Sequence, residues 1–128
     1  MSLILVVDDE ADLVTTYERL LRRRGYRVVS TGSCRDGLLI VEREPLALVI
    51  ADLRLPDGDG LDLVRAARRT PTPTPSIVVT GFASEAARTA ALAAGASACL
   101  AKPFATSAFT ALVEQTLASG GDAPRRIP

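Results

Sequence analysis

The chain has 128 residues, of which 48% are hydrophobic and only 4% aromatic, and its fifteen basic and fifteen acidic residues cancel. This length suffices for one domain with an aliphatic core, and the balanced charge gives no overall field that would attract nucleic acid or an anionic membrane surface. The absence of histidine excludes Ser-His-Asp and Cys-His catalysis and removes the commonest metal ligand. Cys34 and Cys99 lack C-x-x-C spacing, which indicates reduced thiols rather than a disulfide framework or a zinc site.

The first segment predicts a buried strand followed by a helix. Residues 3–7 form a continuous aliphatic run, the pattern of a parallel strand covered on both faces, and the run ends on Asp8 and Asp9. Apolar residues then recur at helical spacing through positions 13–21, and Gly25 ends that helix. Because no basic segment or long apolar stretch opens the chain, we expect no signal peptide, no membrane span and a cytoplasmic location.

A short strand and a second helix follow. Residues 27–31 are partly polar, which predicts a strand at an edge of the sheet. Ser33 caps a helix predicted from about Cys34 to Glu44, and Pro45 ends it. The alternation of strand and helix favours a parallel sheet.

The longest unbroken apolar stretch lies near the middle of the chain. Residues 46–51 show no alternation and predict a strand buried on both faces. The strand ends on Asp52, and Pro56 and Gly60 in the following loop prevent its continuation. Asp52 is therefore predicted to lie at the carboxyl edge of a parallel sheet, where open α/β sheets bind ligands.

The second half repeats the alternation. Its predicted elements are a helix over 61–69, a strand over 76–80, an alanine-rich helix over 84–94, a strand over 98–101 and a last helix from about 105 to 117. Between the first two, three alternate prolines in residues 70–75 predict a stiff extended connector. A polyproline docking site is the alternative, but P-x-x-P spacing is absent. Residues 1–119 are predicted to form the domain, and residues 120–128 a flexible tail or the start of a linker.

Together these elements predict an α/β fold with five parallel strands in the order 2-1-3-4-5 and helices on both faces. Polar residues follow four of the five strands, and all of these strand ends lie on one edge of such a sheet. The residues are Asp8, Asp9, Asp52, Thr80 and Lys102. Three carboxylates packed together need a cation, and all-oxygen ligation favours Mg²⁺.

The same edge is suited to phosphoryl transfer. Asp52 is predicted to be a carboxylate nucleophile, with a metal on one side and the Lys102 ammonium on the other. Lys102 is the only lysine among fifteen basic residues, which suggests that this position needs a compact charge. Each residue alone has a simpler reading: the aspartates as helix caps or turn residues, Thr80 as a helix cap, and Lys102 as a surface residue.

The chain resembles the receiver domains of two-component response regulators. The motifs that carry this resemblance span residues 3 to 118 and are Leu5-Val6-Val7-Asp8-Asp9-Glu10, Asp52-Leu53-Arg54-Leu55-Pro56 with Gly60, Val79-Thr80-Gly81, and Lys102-Pro103-Phe104. The resemblance implies a flavodoxin-like (βα)5 three-layer sandwich. It also implies a phosphoacceptor signalling domain that catalyses only its own phosphotransfer and autodephosphorylation, rather than an enzyme.

The resemblance assigns roles to the residues of the predicted site. Asp52 would accept a phosphoryl group from a phosphohistidine of a sensor histidine kinase. Asp9, Asp52 and the Arg54 backbone carbonyl would ligate Mg²⁺, with Asp8 contacting it through water. Thr80 and Lys102 would hold the phosphoryl oxygens, and the bond before Pro103 would be cis. The face formed by the fourth helix, fifth strand and fifth helix would then be remodelled for an output partner, and homodimers of the family form through it.

Three positions depart from the family's pattern or adjust its chemistry. Cys99 stands three residues before Lys102, where the family commonly has a Tyr or Phe that turns inward with the threonine. Arg54 and Phe82 each lie two residues beyond a key strand-end residue, at positions that flank the attacking water in aspartyl-phosphate hydrolysis. Because both side chains are bulky, we expect slow autodephosphorylation.

Two other functions compete with the phosphoacceptor. An adaptor that works unphosphorylated would keep the fold without the chemistry, and the missing aromatic at Cys99 favours it. A small Mg²⁺ phosphatase would need a second acid two residues beyond the nucleophile, where this chain has Arg54. Direct nucleic-acid binding is not expected, since no helix-turn-helix remains after the five strand-helix units and Arg22 to Arg24 fit a solvated helix end.

Overall fold

The aliphatic runs of the sequence form a parallel five-stranded sheet in the computed structural model, which describes residues 2–119. The strands are β1 (Leu3–Val7), β2 (Arg27–Thr31), β3 (Leu48–Ala51), β4 (Ser76–Thr80) and β5 (Ala98–Ala101). The helices are α1 (Ala11–Arg23), α2 (Cys34–Arg43), α3 (Gly60–Arg68), α4 (Glu85–Ala94) and α5 (Thr106–Ala118). The predicted tail over 120–128 lies outside the described residues.

The strand order is β2-β1-β3-β4-β5, which confirms the predicted topology and the edge position of the second strand. Neighbouring strands of this sheet are all parallel, and Val7 at the end of β1 pairs with Ala51 at the end of β3. Thr80 at the end of β4 pairs with Ala101 at the end of β5 in the same way. The residues that follow these strands therefore emerge along one edge of the sheet.

The loop after β3 contains one element that the sequence analysis missed. Residues Arg54–Leu55 pair antiparallel with Gly58–Asp59 and form a two-stranded hairpin, which we call the loop hairpin. The sequence predicted only a turn there, because two residues per strand are too few to show a period of two. Gly60 begins α3 directly after the hairpin.

The core has one layer on each face of the sheet, because successive residues of a buried strand point to opposite faces. Ile4 and Val6 pack with residues of α1 and α5, whereas Leu5 and Val7 pack with residues of α2 and α3. A smaller third cluster joins α3, α4, β4 and β5; its buried members are Val64, Val78, Ala91, Ala96 and Cys99. No helix within residues 2–119 combines the length and the hydropathy that crossing a membrane requires.

Most of the aromatic residues meet under the sheet at the α1–α5 interface. Tyr17 lies 5.0 Å from Phe109 and 5.9 Å from Phe104 between ring centroids, and its side chain is fully buried. Burial raises the pKa of its phenol, and its hydroxyl oxygen has no hydrogen-bond partner among the described residues. This hydroxyl is therefore a buried polar group with no hydrogen bond to offset the loss of its contact with water.

We therefore expect Tyr17→Phe to stabilise the protein. Removing a buried unpaired hydroxyl while keeping the ring should raise the free energy of unfolding by about 1 kcal/mol, since the desolvation cost disappears. Chemical denaturation of both proteins measures the change. A loss of stability in the variant would show that the hydroxyl makes a hydrogen bond that matters.

Close packing at the start of α3 requires glycine. A Cβ atom added at Gly60 would collide with the backbone carbonyl oxygen of Asp52, and neither backbone segment can move freely because the Gly60 N–H donates to the Leu53 carbonyl at 2.9 Å. A Cβ atom at Gly81 would meet nothing within 4 Å. The backbone around Gly60 therefore leaves no room for a side chain, whereas the backbone around Gly81 does.

We expect Gly60→Ala to lower the free energy of unfolding by more than about 2 kcal/mol, because backbone has to shift to admit the methyl group. Gly81→Ala is the matched control and should leave thermal stability nearly unchanged. Equal melting temperatures for the two variants would contradict the close approach between Gly60 and Asp52.

Candidate functional site

The candidate site lies where β1 and β3 end side by side. Asp8 and Asp52 each extend the hydrogen bonding of the sheet by one residue, since the Asp8 N–H donates to Thr31 and the Asp52 N–H donates to Val7. Both carboxylates are almost fully buried, with residue exposures of 3% and 8%. The two aspartates are thus held by the backbone of neighbouring strands at the edge predicted from the sequence.

Lys102 reaches into this site from the end of β5. Its Nζ atom lies 2.7 Å from Glu10 Oε1, 2.9 Å from Asp8 Oδ2 and 3.0 Å from Asp52 Oδ2. Burial disfavours the ammonium, but its close contacts with these three carboxylates outweigh it and raise the pKa of Lys102 above its ordinary value. The only lysine of the chain is therefore held charged at the centre of the site.

The carboxylates exceed the positive charge that faces them. Oxygen atoms of Asp8, Glu10 and Asp52 all lie within 4.8 Å of one another, and one ammonium neutralises only part of their combined charge. Asp8 Oδ2 is buried and, despite its short distance to Lys102, accepts no well-aligned hydrogen bond among the described residues. Burial raises the pKa of Asp8, opposed by the hydrogen bond from the Glu10 N–H and by the nearby Lys102 ammonium. These oxygens fit a hard divalent cation.

Glu10 rather than Asp9 completes this group of acids. Asp9 and Glu10 are both exposed, but Glu10 contacts Lys102 and belongs to the carboxylate group, whereas Asp9 is absent from it. Glu10 is also the residue before the first turn of α1, and its N–H donates to Asp8 Oδ1 at 2.9 Å. The sequence contained the signal, because Glu10 directly follows the two aspartates, but spacing alone did not show which acids meet at Lys102. Ligation by Asp9 stays a prediction.

Thr80 closes the site from β4. Its side chain is fully buried, and its Oγ1 accepts a hydrogen bond from the Phe82 N–H at 3.0 Å. Ser84, not Thr80, caps α4, since Ser84 Oγ accepts from the Ala87 N–H. The reading of Thr80 as a helix cap is therefore wrong. The Lys102 N–H donates to the Thr80 carbonyl at 2.9 Å, which ties the ends of β4 and β5 together.

Arg54 and Phe82 meet above the site. The guanidinium carbon of Arg54 lies 3.6 Å from the centroid of the Phe82 ring, a cation–π contact between the loop hairpin and the loop after β4. The Arg54 N–H also donates to Asp52 Oδ1 at 3.3 Å, while Phe82 is 54% exposed. The two residues singled out from sequence thus act on each other, which their separation in the chain did not indicate.

Cys99 occupies a small apolar site beneath α4. It is 7% exposed and packs in the third core cluster with Ala91 and Val78, and burial raises the pKa of its thiol, opposed by Arg88. Arg88 of α4 donates to the Cys99 carbonyl at 3.3 Å. The peptide bond between Lys102 and Pro103 is cis. Position 99, where the sequence analysis noted a departure from the family's aromatic, therefore holds a small side chain buried in the core.

Comparison with known proteins gives one consistent family. Residues 4–114 match the family described as response regulator receiver domain. The photosynthetic apparatus regulatory protein RegA of Rhodovulum sulfidophilum is 32% identical over 120 residues, which cover 94% of this chain and 63% of that protein. The chain thus spans less than two thirds of that relative's length.

Two solved structures share the fold. A CheY-like response regulator receiver domain protein from Methanospirillum hungatei JF-1 has 29% identity and a TM-score of 0.87, with 93% of this chain and 95% of that one covered. A response regulator protein from Burkholderia pseudomallei, solved with a phosphorylated aspartic acid, a calcium ion and citrate, has 29% identity and a TM-score of 0.81, with 94% and 71% covered. With the family match extending over most of the chain, this protein belongs to the receiver domains of two-component response regulators.

Proposed function

We propose that this chain is a phosphoacceptor that takes a phosphoryl group from the phosphohistidine of a sensor histidine kinase onto Asp52. The observation that carries the proposal is the position of Asp52, whose carboxylate is buried at the end of β3 and lies 3.0 Å from the ammonium of the only lysine. Membership of the receiver family supports this role, and the related Burkholderia structure contains a phosphorylated aspartic acid.

The site also supports a resident Mg²⁺ ion. Asp8, Asp52 and the Arg54 backbone carbonyl are the groups that we propose would hold it, with Asp9 or Glu10 as a further carboxylate. Such an ion supplies charge compensation for a phosphoryl group. The calcium ion of the Burkholderia structure, together with the buried oxygen of Asp8 that lacks a well-aligned partner, supports a divalent cation at this edge.

Each site residue would then have its own role in the phosphoryl transfer. An oxygen of Asp52 attacks phosphorus, the new O–P bond forms as the P–N bond to the donor imidazole breaks, and the imidazole keeps the electron pair. Lys102 is already fixed at the attacking carboxylate, so little reorganisation is needed to place its charge beside a phosphoryl oxygen. Thr80 would exchange its contact with the Phe82 N–H for one with the phosphoryl group.

The consequence of phosphorylation would be a changed contact surface on α4, β5 and α5. Between these elements runs a groove of about 570 Å³, whose lining includes Arg88, Leu92, Leu100 and Leu112. We propose that an output domain or target protein binds this face in the cytoplasm, and a second copy of the chain would use the same face in a homodimer. Since Cys99 cannot act as an aromatic switch, displacement of Thr80 would reach α4 through the backbone of the connecting loop.

We expect incubation with acetyl phosphate and Mg²⁺ to add a single phosphoryl group to the wild-type protein, detected by intact-protein mass spectrometry. Asp52→Asn should abolish the adduct, because an amide oxygen is a far weaker nucleophile than a carboxylate. A chelator should abolish it as well, because the acidic edge then repels the phosphoryl donor.

Asp59→Asn is the matched control for the substitution. Asp59 is an exposed aspartate of the same loop whose Oδ1 caps α3, and we expect the variant to be labelled like wild type. An adduct that persists in Asp52→Asn would contradict the assigned acceptor. No adduct in any protein would favour an adaptor that works unphosphorylated.

We also expect the phosphoryl group on this chain to be long-lived. Arg54 and Phe82 are in contact, and we propose that the pair covers the mouth of the site, so truncating both to Ala should shorten the lifetime by about tenfold or more by admitting water. Decay of the mass-spectrometric adduct after removal of acetyl phosphate measures it. Arg23→Ala, at the far end of α1, is the control, and equal lifetimes in all three proteins would refute the covering role.

A further inference from the structure

The loop hairpin is too small to be stable by itself. It has two residues in each strand, and an isolated two-stranded hairpin is at best marginal in water even when much longer. Its turn residues, Pro56 and Asp57, are not the Asn-Gly or Gly-containing pairs that favour tight hairpins. Contacts with the rest of the fold must therefore hold it in place.

Asp57 provides the strongest of these contacts at the tip of the hairpin. Its Oδ1 accepts from the Cys34 N–H at 2.7 Å, and its Oδ2 accepts from the Arg35 N–H and the Ser33 hydroxyl, each at 3.0 Å. The two N–H groups belong to the first turn of α2, whose free donors and positive dipole end attract a carboxylate. Hydrogen bonds from the Arg35 and Cys34 backbones hold the pKa of Asp57 below its ordinary value.

A second contact lies directly beside the first. A Cβ atom at Gly58 would sit 3.0 Å from Cys34 Sγ, so the hairpin backbone packs closely on the buried first residue of α2. Cys34 Sγ also lies 3.7 Å from the Asp59 carbonyl oxygen. The tip and the returning strand of the hairpin are both fastened to the same helix end.

The other end of the hairpin reaches the candidate site. Arg54 begins it, with its N–H on Asp52 Oδ1 and its guanidinium over Phe82. Leu55, which follows, is 9% exposed and packs in the core between the sheet, α2 and α3. Leu55 is anchored in the core and connects the tip to Arg54. The attachment of the tip to α2 therefore bears on the orientation of the Arg54 peptide.

We infer that Asp57 is a positioning residue: by binding the first turn of α2, its carboxylate fixes the loop hairpin so that Arg54 presents its carbonyl and side chain to the cation and phosphoryl group at Asp52. This inference rests on the proposed function. Asp57 touches neither group itself and acts only through Arg54.

The experiment compares Mg²⁺ affinity in four proteins, the wild type, Asp57→Ala, Asp57→Asn and Ser33→Ala. Mg²⁺ is titrated and the backbone amide signals of Arg54 and Gly60 are followed by NMR at a temperature where all four are folded. Ser33→Ala is the control, because it removes the α2 cap on the Asp36 N–H and the hydroxyl donor to Asp57 Oδ2 but keeps both backbone hydrogen bonds to Asp57.

We expect Asp57→Ala to weaken Mg²⁺ binding by about tenfold, the size of effect seen when a residue supporting a metal ligand is lost. Asp57→Asn keeps one acceptor oxygen and should fall between Asp57→Ala and wild type, which also carries the test if the alanine variant does not fold. Ser33→Ala should bind Mg²⁺ like wild type.

Two results would overturn the inference alone. In one, wild type binds Mg²⁺ and both Asp57 variants bind it with the same affinity. In the other, Ser33→Ala weakens binding as much as Asp57→Ala, so that Asp57 serves only as a helix cap. A wild-type protein that binds no Mg²⁺ would contradict the proposed cation site as well, which separates failure of the proposed function from failure of the positioning role.

Discussion

The ammonium of Lys102, held between the carboxylates of Asp8, Glu10 and Asp52, is the interaction on which the site depends. Without a cation, two buried aspartates on adjacent strands would repel each other and favour protonation over charge. One ammonium keeps the cluster intact but leaves it with excess negative charge. The carboxylate cluster can therefore fold with one ammonium, and its remaining negative charge would attract a divalent ion.

The parallel sheet makes this arrangement possible by aligning strand ends. β1 and β3 deliver the aspartates, and β4 and β5 deliver Thr80 and Lys102 from the other side. Short strands buried on both faces allow little movement, so the aspartates are placed by backbone hydrogen bonds, and Lys102 reaches them with its side chain from the end of β5. The loop hairpin is the least self-sufficient part of the site, and its attachment to α2 explains how so short an element can carry Arg54.

Cys99 is a small buried residue three positions before Lys102. Its small thiol packs in the third core cluster, so no aromatic ring at this position can respond to the movement of Thr80. The hydrogen bond from the Phe82 N–H to Thr80 Oγ1 and the one from the Arg88 guanidinium to the Cys99 carbonyl each join a side chain to the backbone, and we propose that α4 responds through them instead. The output face would then be controlled by the position of α4 as a whole.

The sequence by itself determined the fold class, the strand order and the edge at which Asp8, Asp52, Thr80 and Lys102 gather, because continuous apolar runs and the residues that end them are local properties. Tertiary structure decided that Glu10 rather than Asp9 contacts Lys102, that Arg54 lies on Phe82, and that Asp57 binds the start of α2. These contacts join residues from separate elements or depend on which way one turn faces. Their outcome is set by the packing of the whole domain, which no local pattern encodes.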